Sequence, residues 1–316
     1  MAIVAAGRFA LAQPAGRPVR IGLLDIARRD ATSENWKYFR TRLQELGYSE
    51  ARGFVIEERF ADGAAERLPA LAAELVGLEP ALIVANATPE TLALMKLTRS
   101  IPIIFTAAGD AVATGMVASL ARPGGNATGQ SSMYTVLSGK WIEMLRELVP
   151  GLKRIAFLGS ASNQSHLANL RSMQQHARPR GISVRLMEAG SPDEITATFA
   201  AMAAENVDAF MVAATGQLLA NKQQIVEQAA RRRMPAIYAR QEFVAAGGLL
   251  SLGIDIEQQF RRAAEHVDRV LRGARPAEMP VEQPTKFELV VNMGTARALG
   301  IRIPQSILLR ADRIIE

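Results

Sequence analysis

Short apolar runs alternate with amphipathic stretches along most of this chain, which is typical of strands alternating with helices. Four runs in the first third predict strands, at 19–25, 53–60, 81–85 and 101–105. Apolar residues recur at helical spacing from Trp36 to Leu46, where Gly47 supplies a stop, and again at 64–76 and 90–99. Because consecutive parallel strands need a crossover helix, this order predicts a parallel sheet covered by helices.

The stretch Ile101 to Gly129 joins this sheet to the rest of the chain. Its β-branched run predicts a buried strand, which breaks into the small residues Thr106 to Gly109. The positions 112–120 are apolar at helical spacing and predict a helix. The two glycines before Asn126 terminate this predicted helix. A short strand at 127–130 follows.

The second half repeats the pattern. A helix at 140–148 precedes the break at Pro150-Gly151, and further strands and helices are predicted at 154–158, 181–187, 195–204, 209–213, 218–231 and 235–238. Two similar α/β lobes therefore lie in series, with a boundary between Gly129 and Gly139. A late helix at 256–271 and a late strand at 287–292 follow, and periodicity does not assign them to either sheet.

Three motifs point to one family. They are ASLARPGGNATG at 118–129, FVAAGGLLS at 243–251 and PTKFELVVN at 284–292. In this order they resemble the substrate-binding proteins of a family of ABC importers, and the resemblance runs from about residue 18 to the C-terminus. It implies the two-lobed fold of type I periplasmic receptors, two doubly wound parallel-sheet lobes joined by a hinge. It assigns 18–130 plus 256–283 to lobe 1, and 131–255 plus 284–316 to lobe 2.

The composition excludes several kinds of site. The chain has 316 residues, 49% of them hydrophobic and 22% charged, and it contains no cysteine. Disulfides, thiolate metal sites and a lipidated cysteine are therefore absent. No apolar run approaches the roughly 18 to 20 residues that span a bilayer, and no cofactor motif is present, so we expect no cofactor.

The net charge of +6 raises the question of nucleic acid. The arginines are dispersed on amphipathic helices or loops as Arg28-Arg29, Arg231 to Arg233 and Arg261-Arg262, without a nucleic-acid-binding signature. We therefore interpret them as solvated faces and expect no nucleic-acid partner.

The N-terminal residues 1–17 resemble the end of a secretory signal, because apolar residues precede a small-x-small site after Ala12. Arg8 interrupts the apolar core and a charged start is lacking, so a disordered tail is the alternative. The signal interpretation predicts a periplasmic protein.

Candidate ligand-binding residues lie in the loops after the strands, because doubly wound sheets bind ligands at the carboxyl ends of their strands. Hydroxyls, amides and small residues dominate these loops, as in a pocket for a polar small molecule. The candidate ligand-binding residues are Arg28, Asn86, Thr88, Thr106, Asp110, Ser160, Asn163, Thr215, Gln217, Tyr238, Gln241 and Asp255.

A carboxylate is one group that such loops can hold. Backbone N–H groups at the helix starts after Thr88 and Ser162 can take it, and Arg28 or Arg240 can add a charge-assisted fork. The alternatives are structural, since Thr88 and Ser162 are good helix caps without any ligand. Likewise Asp25 and Asp255 can fix backbone, and Trp36, Tyr134 and Tyr238 can pack in the core rather than stack on a ligand.

The sequence supports a catalytic function less than it supports ligand binding. His166, His176 and His266 have no partner at metal-ligand spacing, so we expect each at the surface or a boundary, and no metal site. Asp25 and Asp110 could form an acid–base pair, but no neighbouring motif activates them. No nucleophile elbow, P-loop or dinucleotide fingerprint is present.

Together these features predict the solute receptor of a bacterial ABC importer, not an enzyme. It would bind an amino acid or aromatic carboxylate between its lobes, close by hinge motion and deliver the ligand to a permease in the inner membrane. A monomer is expected. The alternatives are a cytoplasmic ligand sensor and an α/β enzyme.

Overall fold

A five-stranded parallel sheet forms the first half of the protein. The computed structural model describes residues 18–49 and 53–316, and the predicted signal segment at 1–17 lies outside them. The strands pair in the order β2-β1-β3-β4-β5; their bounds are β1 Val19–Asp25, β2 Phe54–Phe60, β3 Leu82–Ala85, β4 Ile103–Ala108 and β5 Ala127–Ser131. The helices between them are α1 Arg29–Glu45, α2 Leu68–Gly77 and α3 Thr88–Leu97.

A seven-stranded sheet forms the second half, in the order β12-β11-β10-β9-β8-β6-β7. Its strands are β6 Arg154–Gly159, β7 Ser183–Glu188, β8 Ala209–Val212, β9 Ala236–Tyr238, β10 Leu250–Ile254, β11 Phe287–Asn292 and β12 Arg313–Ile315. Only the β10–β11 pair among these described strands is antiparallel. The predicted α/β architecture with two mostly parallel sheets is confirmed.

Nine further helices accompany the second sheet and the chain crossings. They are α4 Tyr134–Leu148, α5 Gln164–Ala177, α6 Pro192–Ala204, α7 Gly216–Ala220, α8 Lys222–Arg231, α9 Gln241–Ala245, α10 Ile256–Leu271, α11 Met293–Leu299 and α12 Gln305–Leu308, among the residues that the structure describes. We call the first sheet with the helices packed on it lobe 1, and the second sheet with its helices lobe 2.

The chain passes between the two lobes three times. After Ser131 it enters α4, which packs on α5 and β10, and after Ile254 it enters α10, which packs on α1 and β4. Near Glu282, whose backbone is bonded to Gly129 and Ser131 at the edge of β5, it turns back into β11 beside β10. The late helix therefore packs on the first sheet, and the late strand joins the second.

Aromatic contacts explain how α10 is fixed on lobe 1. The ring of Phe260 meets Trp36 of α1 edge to face, with centroids 4.8 Å apart and planes at 86°, and both side chains are fully buried. Burying a large side chain of this kind stabilises the fold by roughly 2–3 kcal/mol. This packing returns the chain to lobe 1 after it has completed most of lobe 2.

The helix predicted at 112–120 is wrong. The Asp110 carboxylate accepts hydrogen bonds from the backbone N–H groups of Val112 and Ala113, which closes a local turn, and Gly115 follows with φ of 73°. A left-handed residue ends an α-helix, so the segment folds as turns despite its apolar spacing.

The helix predicted at 218–231 is divided. It forms α7 and α8, which meet at Asn221, whose side chain donates a hydrogen bond to the carbonyl of Gln217. An asparagine that bonds to the backbone in this way competes with helical hydrogen bonding.

Candidate ligand site between the lobes

The carboxyl ends of strands from both lobes meet across a narrow cleft. Two adjoining cavities of about 60 and about 20 Å³ lie there, and residues from both lobes line each of them. The lining residues common to the two cavities are Ala87, Pro89, Asn163, His166 and Thr215. Lobe 1 supplies the loop after β3, and lobe 2 supplies the loops after β6 and β8.

Five residues predicted from the sequence line these cavities. They are Thr88, Ser160, Asn163, Thr215 and Gln217. Asn163 and Thr215 are held by capping, because their side chains accept from the backbone N–H groups of Ser165 and Leu218. The N-termini of helices α5 and α7 thus fix these polar side chains on the lobe 2 side of the cleft.

Thr88 connects the lobes. Its Oγ1 accepts a hydrogen bond from the backbone N–H of Gly109 at 2.9 Å and lies 2.9 Å from the Ser165 hydroxyl of lobe 2. The expectation that Thr88 and Ser162 cap their helices is therefore wrong, since Ala87 and Asn163 occupy the two N-cap positions. The hydroxyl of Thr88 is used across the cleft instead.

Two predicted residues do not line the cavities but form hydrogen bonds in lobe 1 beneath them. Asn86 donates from Nδ2 to the Asp25 carboxylate at 3.1 Å, and the Thr106 hydroxyl donates to the Asn86 carbonyl at 2.7 Å. Asp25 is fully buried and also accepts from Thr32 and Trp36. These bonds hold the end of β1 rigid under the cleft, and Trp36 is a core residue rather than a stacking platform.

The other predicted residues lie outside the two cavities. Arg28 pairs with its neighbour Asp30, and Asp110 holds its own turn. Tyr238 stacks on Phe243 within the core of lobe 2, and the Gln241 side chain accepts from Arg313. Asp255 caps α10 and lines a separate cavity of about 220 Å³ at the chain crossings.

Arg240, a candidate fork for a carboxylate, already has a carboxylate partner. Its guanidinium binds Glu242 through two nitrogens, and both side chains are largely buried. Burial opposes the charge on Arg240, but the Glu242 carboxylate outweighs it and raises the pKa of the arginine. Asn35 of lobe 1 donates to Glu242 at 3.4 Å, so the pair contributes to the contact between lobes.

Glu90, in the first turn of α3, is a buried acid that the sequence reading missed. Its Oε1 accepts from the backbone N–H of Ile26 at 2.9 Å, and its Oε2 has no hydrogen-bond partner among the described residues. Burial, together with the negative charge of Asp25, raises the pKa of Glu90 to about 8. The disfavoured alternative of an acid–base pair between Asp25 and Asp110 gains no support, since the Asp110 carboxylate bonds within its own turn. Asp25 lies instead beside the Glu90 carboxyl, which is neutral near pH 7.

His166 lines both cavities and contradicts the expectation of a surface histidine. Its side chain is 3% exposed, and Nδ1 accepts from the backbone N–H of Ser160 at 2.8 Å. Burial lowers the pKa of His166 to about 4, so the ring is neutral at physiological pH. His266 is also buried, and only His176 of the three is exposed.

Three more lining residues were missed by the sequence reading: Ser132, Ser165 and Asn169. Tyr134, for which the sequence left ligand stacking and core packing open, also lines the smaller cavity. Ser165, His166 and Asn169 lie on α5, which begins after Asn163, so the predicted loop residue Asn163 was the available signal for them. Ser132 and Tyr134 lie at the first chain crossing, which no motif of residue types marks as a pocket.

Two glycines allow the lobes to approach closely. A Cβ at Gly216 of lobe 2 would lie 2.8 Å from the Cβ of Ala27 and 2.9 Å from its backbone nitrogen. A Cβ at Gly109 of lobe 1 would lie 2.2 Å from the Ser165 hydroxyl. Side chains at these positions would hold the two walls apart.

Two further features of the structure bear on other functions. In the part of the chain that the structure describes, no group of three or more histidine, aspartate or glutamate side chains is placed to hold a metal ion. None of the helices within 18–49 and 53–316 combines the length and the apolar character needed to cross a membrane.

The comparison with known proteins decides the family. Residues 20–315 match the family described as ABC transporter substrate binding protein. The chain belongs to this family. The resemblance seen in the three sequence motifs is thereby confirmed, and this substrate-binding protein can be compared with its relatives.

Two of the similar proteins are described with an aromatic amino acid. The tyrosine-binding protein of Clostridioides difficile (strain R20291) is 26% identical over 283 residues, which cover 89% of this chain and 81% of the relative. The ABC domain from Streptococcus pneumonia, solved in complex with L-Trp, is 27% identical with a TM-score of 0.86, covering 94% of this chain and 100% of that one. A conserved domain protein from Vibrio cholerae is 25% identical, with the same TM-score and the same coverage.

Proposed function

We propose that this substrate-binding protein is the solute receptor of a bacterial ABC importer and binds an aromatic amino acid or a similar small carboxylate between its lobes. The observation that carries the proposal is the cleft itself, where polar side chains that cap two helices of lobe 2 face the strand ends of lobe 1. Two relatives, a tyrosine-binding protein and an L-Trp complex, support the choice of ligand class.

Hinge motion is part of the proposal. The cavities of about 60 and 20 Å³ have room for a few water molecules, so an indole or phenol ring enters only after the lobes separate. The three chain crossings lie together, and Met133 on the first has a left-handed backbone with φ of 50°. A few residues of this kind can absorb the rotation between two rigid lobes.

The proposed activity is binding without turnover. The Asp25 carboxylate is occupied by four hydrogen bonds from its own lobe, which suits a structural role rather than proton transfer to a ligand. Glu90 does not line either cavity among the described residues. The relatives are likewise described as binding proteins.

The biological setting follows from the proposal. We infer a permease in the inner membrane as partner, a periplasmic location and a monomeric receptor. We also retain the division into 18–130 plus 256–283 and 131–255 plus 284–316, which is supported by the packing of α10 on lobe 1 and the pairing of β11 with β10.

A thermal-shift and calorimetric screen tests the function. The protein is unfolded and refolded to remove carried-over ligand, then mixed with L-tryptophan, L-tyrosine, L-phenylalanine, indole-3-acetate, glucose and adenosine. At a hundred times its dissociation constant a ligand stabilises the folded state by about 2.7 kcal/mol, so we expect a clear rise in melting temperature with an aromatic amino acid, recovered unchanged. A response to glucose or adenosine alone, or conversion of a hit to product, would contradict the proposal.

A further inference from the structure

Two side-chain nitrogen atoms at the start of α5 face each other, and the described residues offer neither of them a hydrogen-bond acceptor. Nδ2 of Asn163 lies 3.4 Å from Nε2 of His166, and both side chains line both cavities of the cleft. The distance suits a hydrogen bond, but only if one nitrogen is an acceptor. The surrounding contacts decide that question.

The tautomer of His166 is fixed by the backbone. The Ser160 N–H points at Nδ1 from 2.8 Å, and only an unprotonated nitrogen can accept it. Burial keeps the ring neutral by lowering its pKa to about 4. A neutral ring with a bare Nδ1 carries its hydrogen on Nε2, so Nε2–H is a donor.

The orientation of the Asn163 amide is fixed in the same way. Its Oδ1 accepts from the backbone N–H of Ser165 at 3.0 Å in the helix cap, and an NH2 group in that place could not accept. Its Nδ2 therefore carries two hydrogens and faces the Nε2–H of His166. Two donors cannot bond to each other, and neither has an acceptor among the described residues.

The place of this donor pair favours a negative ligand group. Both residues belong to the start of a 14-residue helix, and the helix dipole favours negative charge at this end. The nearby Glu188 carboxylate is engaged by the backbone N–H of Ala161 at 2.8 Å. An oxygen placed between the two nitrogens would satisfy both donors at once.

We propose that Asn163 and His166 together hold a carboxylate oxygen of the ligand. This inference rests on the proposed function, since it assigns a group of the ligand to a pair of residues in the proposed site. It makes His166 a binding residue and predicts that the protein discriminates against ligands without a carboxylate. Ser165 and Thr88 lie beside the pair, and the hydrogen bond between their hydroxyls joins the two lobes at this point.

Substitutions at the two positions separate binding from structure. His166→Asn keeps an acceptor near Nδ1 for the Ser160 N–H but removes the donor at Nε2, whereas His166→Gln keeps a donor near Nε2. Asn163→Asp keeps the helix cap through Oδ1 and replaces the donor by a negative oxygen. Gln164→Glu adds the same charge one residue later on an exposed position and serves as the matched control.

Calorimetry measures the affinity of each variant for L-tryptophan and L-tyrosine, and for tryptamine and tyramine, which lack the carboxylate. Hydrogen bonds to a charged group contribute enough that losing one weakens binding by about 10- to 100-fold. We expect such a loss for the amino acids with His166→Asn, a larger loss with Asn163→Asp, a smaller one with His166→Gln and little change with Gln164→Glu. The amines should bind wild type more weakly than the amino acids, and their affinity should not fall with His166→Asn.

Each other result counts against the inference in an identifiable way. One such result is that wild type binds the amino acids and the variants His166→Asn and Asn163→Asp bind them with the same affinity. The donor pair would then not hold the carboxylate, and the proposed function would stand. If His166→Asn weakens amines and amino acids alike, the residue acts on the shape of the pocket rather than on the carboxylate. If wild type binds none of the aromatic amino acids, the proposed function fails and this inference fails with it.

Discussion

At the scale of single residues, the most unusual group is the carboxyl of Glu90. It is fully buried beside Asp25, and its Oε1 accepts a hydrogen bond from the backbone N–H of Ile26. Because burial and the charge of Asp25 disfavour ionisation, the folded protein holds a proton here up to about pH 8. The unfolded chain releases that proton near pH 4.5, so the folded and unfolded states differ in proton uptake between these values.

The sign of the pH dependence follows from this difference. A group whose pKa is raised on folding stabilises the fold fully below its unfolded pKa, and that stability is lost as pH rises towards the folded pKa. Glu90→Gln stays neutral and keeps the acceptor for Ile26. We expect the variant to gain stability over wild type as pH rises from 4.5 to 8, by on the order of a few kcal/mol.

Urea unfolding at pH 5, 6.5 and 8 measures the effect. Glu66→Gln, the same change at an exposed position, is the control and should shift the curves equally at every pH. A constant difference between Glu90→Gln and wild type across the three pH values would show that Glu90 is ionised in the folded protein.

At the scale of elements, the glycines of the motif RPGGNATG have different roles. Gly129 pairs with Phe105 between β5 and β4, and a Cβ there would lie 2.0 Å from the Phe105 carbonyl oxygen. Gly125 lies four residues earlier on an exposed bend, where a Cβ would meet nothing within 4 Å. The two positions therefore form a matched pair for testing what the motif does.

We expect Gly129→Ala to destabilise the protein by about 3 kcal/mol or more, because β5 must move away from β4 to admit the methyl group. Gly125→Ala should change the free energy of unfolding by less than about 1 kcal/mol. Urea denaturation of the two variants measures both values. Equal stabilities would show that β5 can shift without cost and that the motif is not required for strand pairing.

The elements also show what the sequence could predict. Apolar runs and helical spacing located β1, α1 and α10, because β1 is buried on both faces and the two helices each have one buried face. A clear stop such as Gly47 also marks the end of α1. The same spacing failed at 112–120, where the Asp110 side chain and the left-handed Gly115 outweigh it. A pattern of apolar positions contains no information about such local side-chain bonds.

The candidate site was predictable only in part, for a similar reason. Asn163 and Thr215 were found because polar residues in the loops after strands are visible in sequence, although their capping roles were not predicted. His166 was missed because its role depends on the Ser160 N–H and on burial between two lobes, which only the tertiary structure provides. Arg28 looked suitable by charge, but its neighbour Asp30 binds it.

At the scale of the whole molecule, two backbones from opposite lobes lie nearly in contact. Gly216 begins α7 on lobe 2, and the end of β1 on lobe 1 lies directly across the cleft at Ile26 and Ala27. Beyond this contact, the bridging bonds include those of Thr88 with Ser165 and of Asn35 with Glu242. Single hydrogen bonds of this kind can be broken and formed again, as the proposed receptor requires.

Gly216→Ala should oppose closure without harming either lobe. The added Cβ would lie 2.8–2.9 Å from atoms of Ile26 and Ala27, which costs roughly 1–3 kcal/mol in the closed form, whereas the open form has no such contact. Because ligand affinity includes the free energy of closure, we expect binding of the aromatic amino acid to weaken by about 5- to 100-fold. Small-angle X-ray scattering should show a smaller ligand-induced decrease in radius of gyration than in wild type, and the melting temperature without ligand should stay the same. Gly77→Ala, at an exposed helix end with nothing within 4 Å, is the control; full affinity and full compaction in Gly216→Ala would show that ligand binding does not bring these two backbones together.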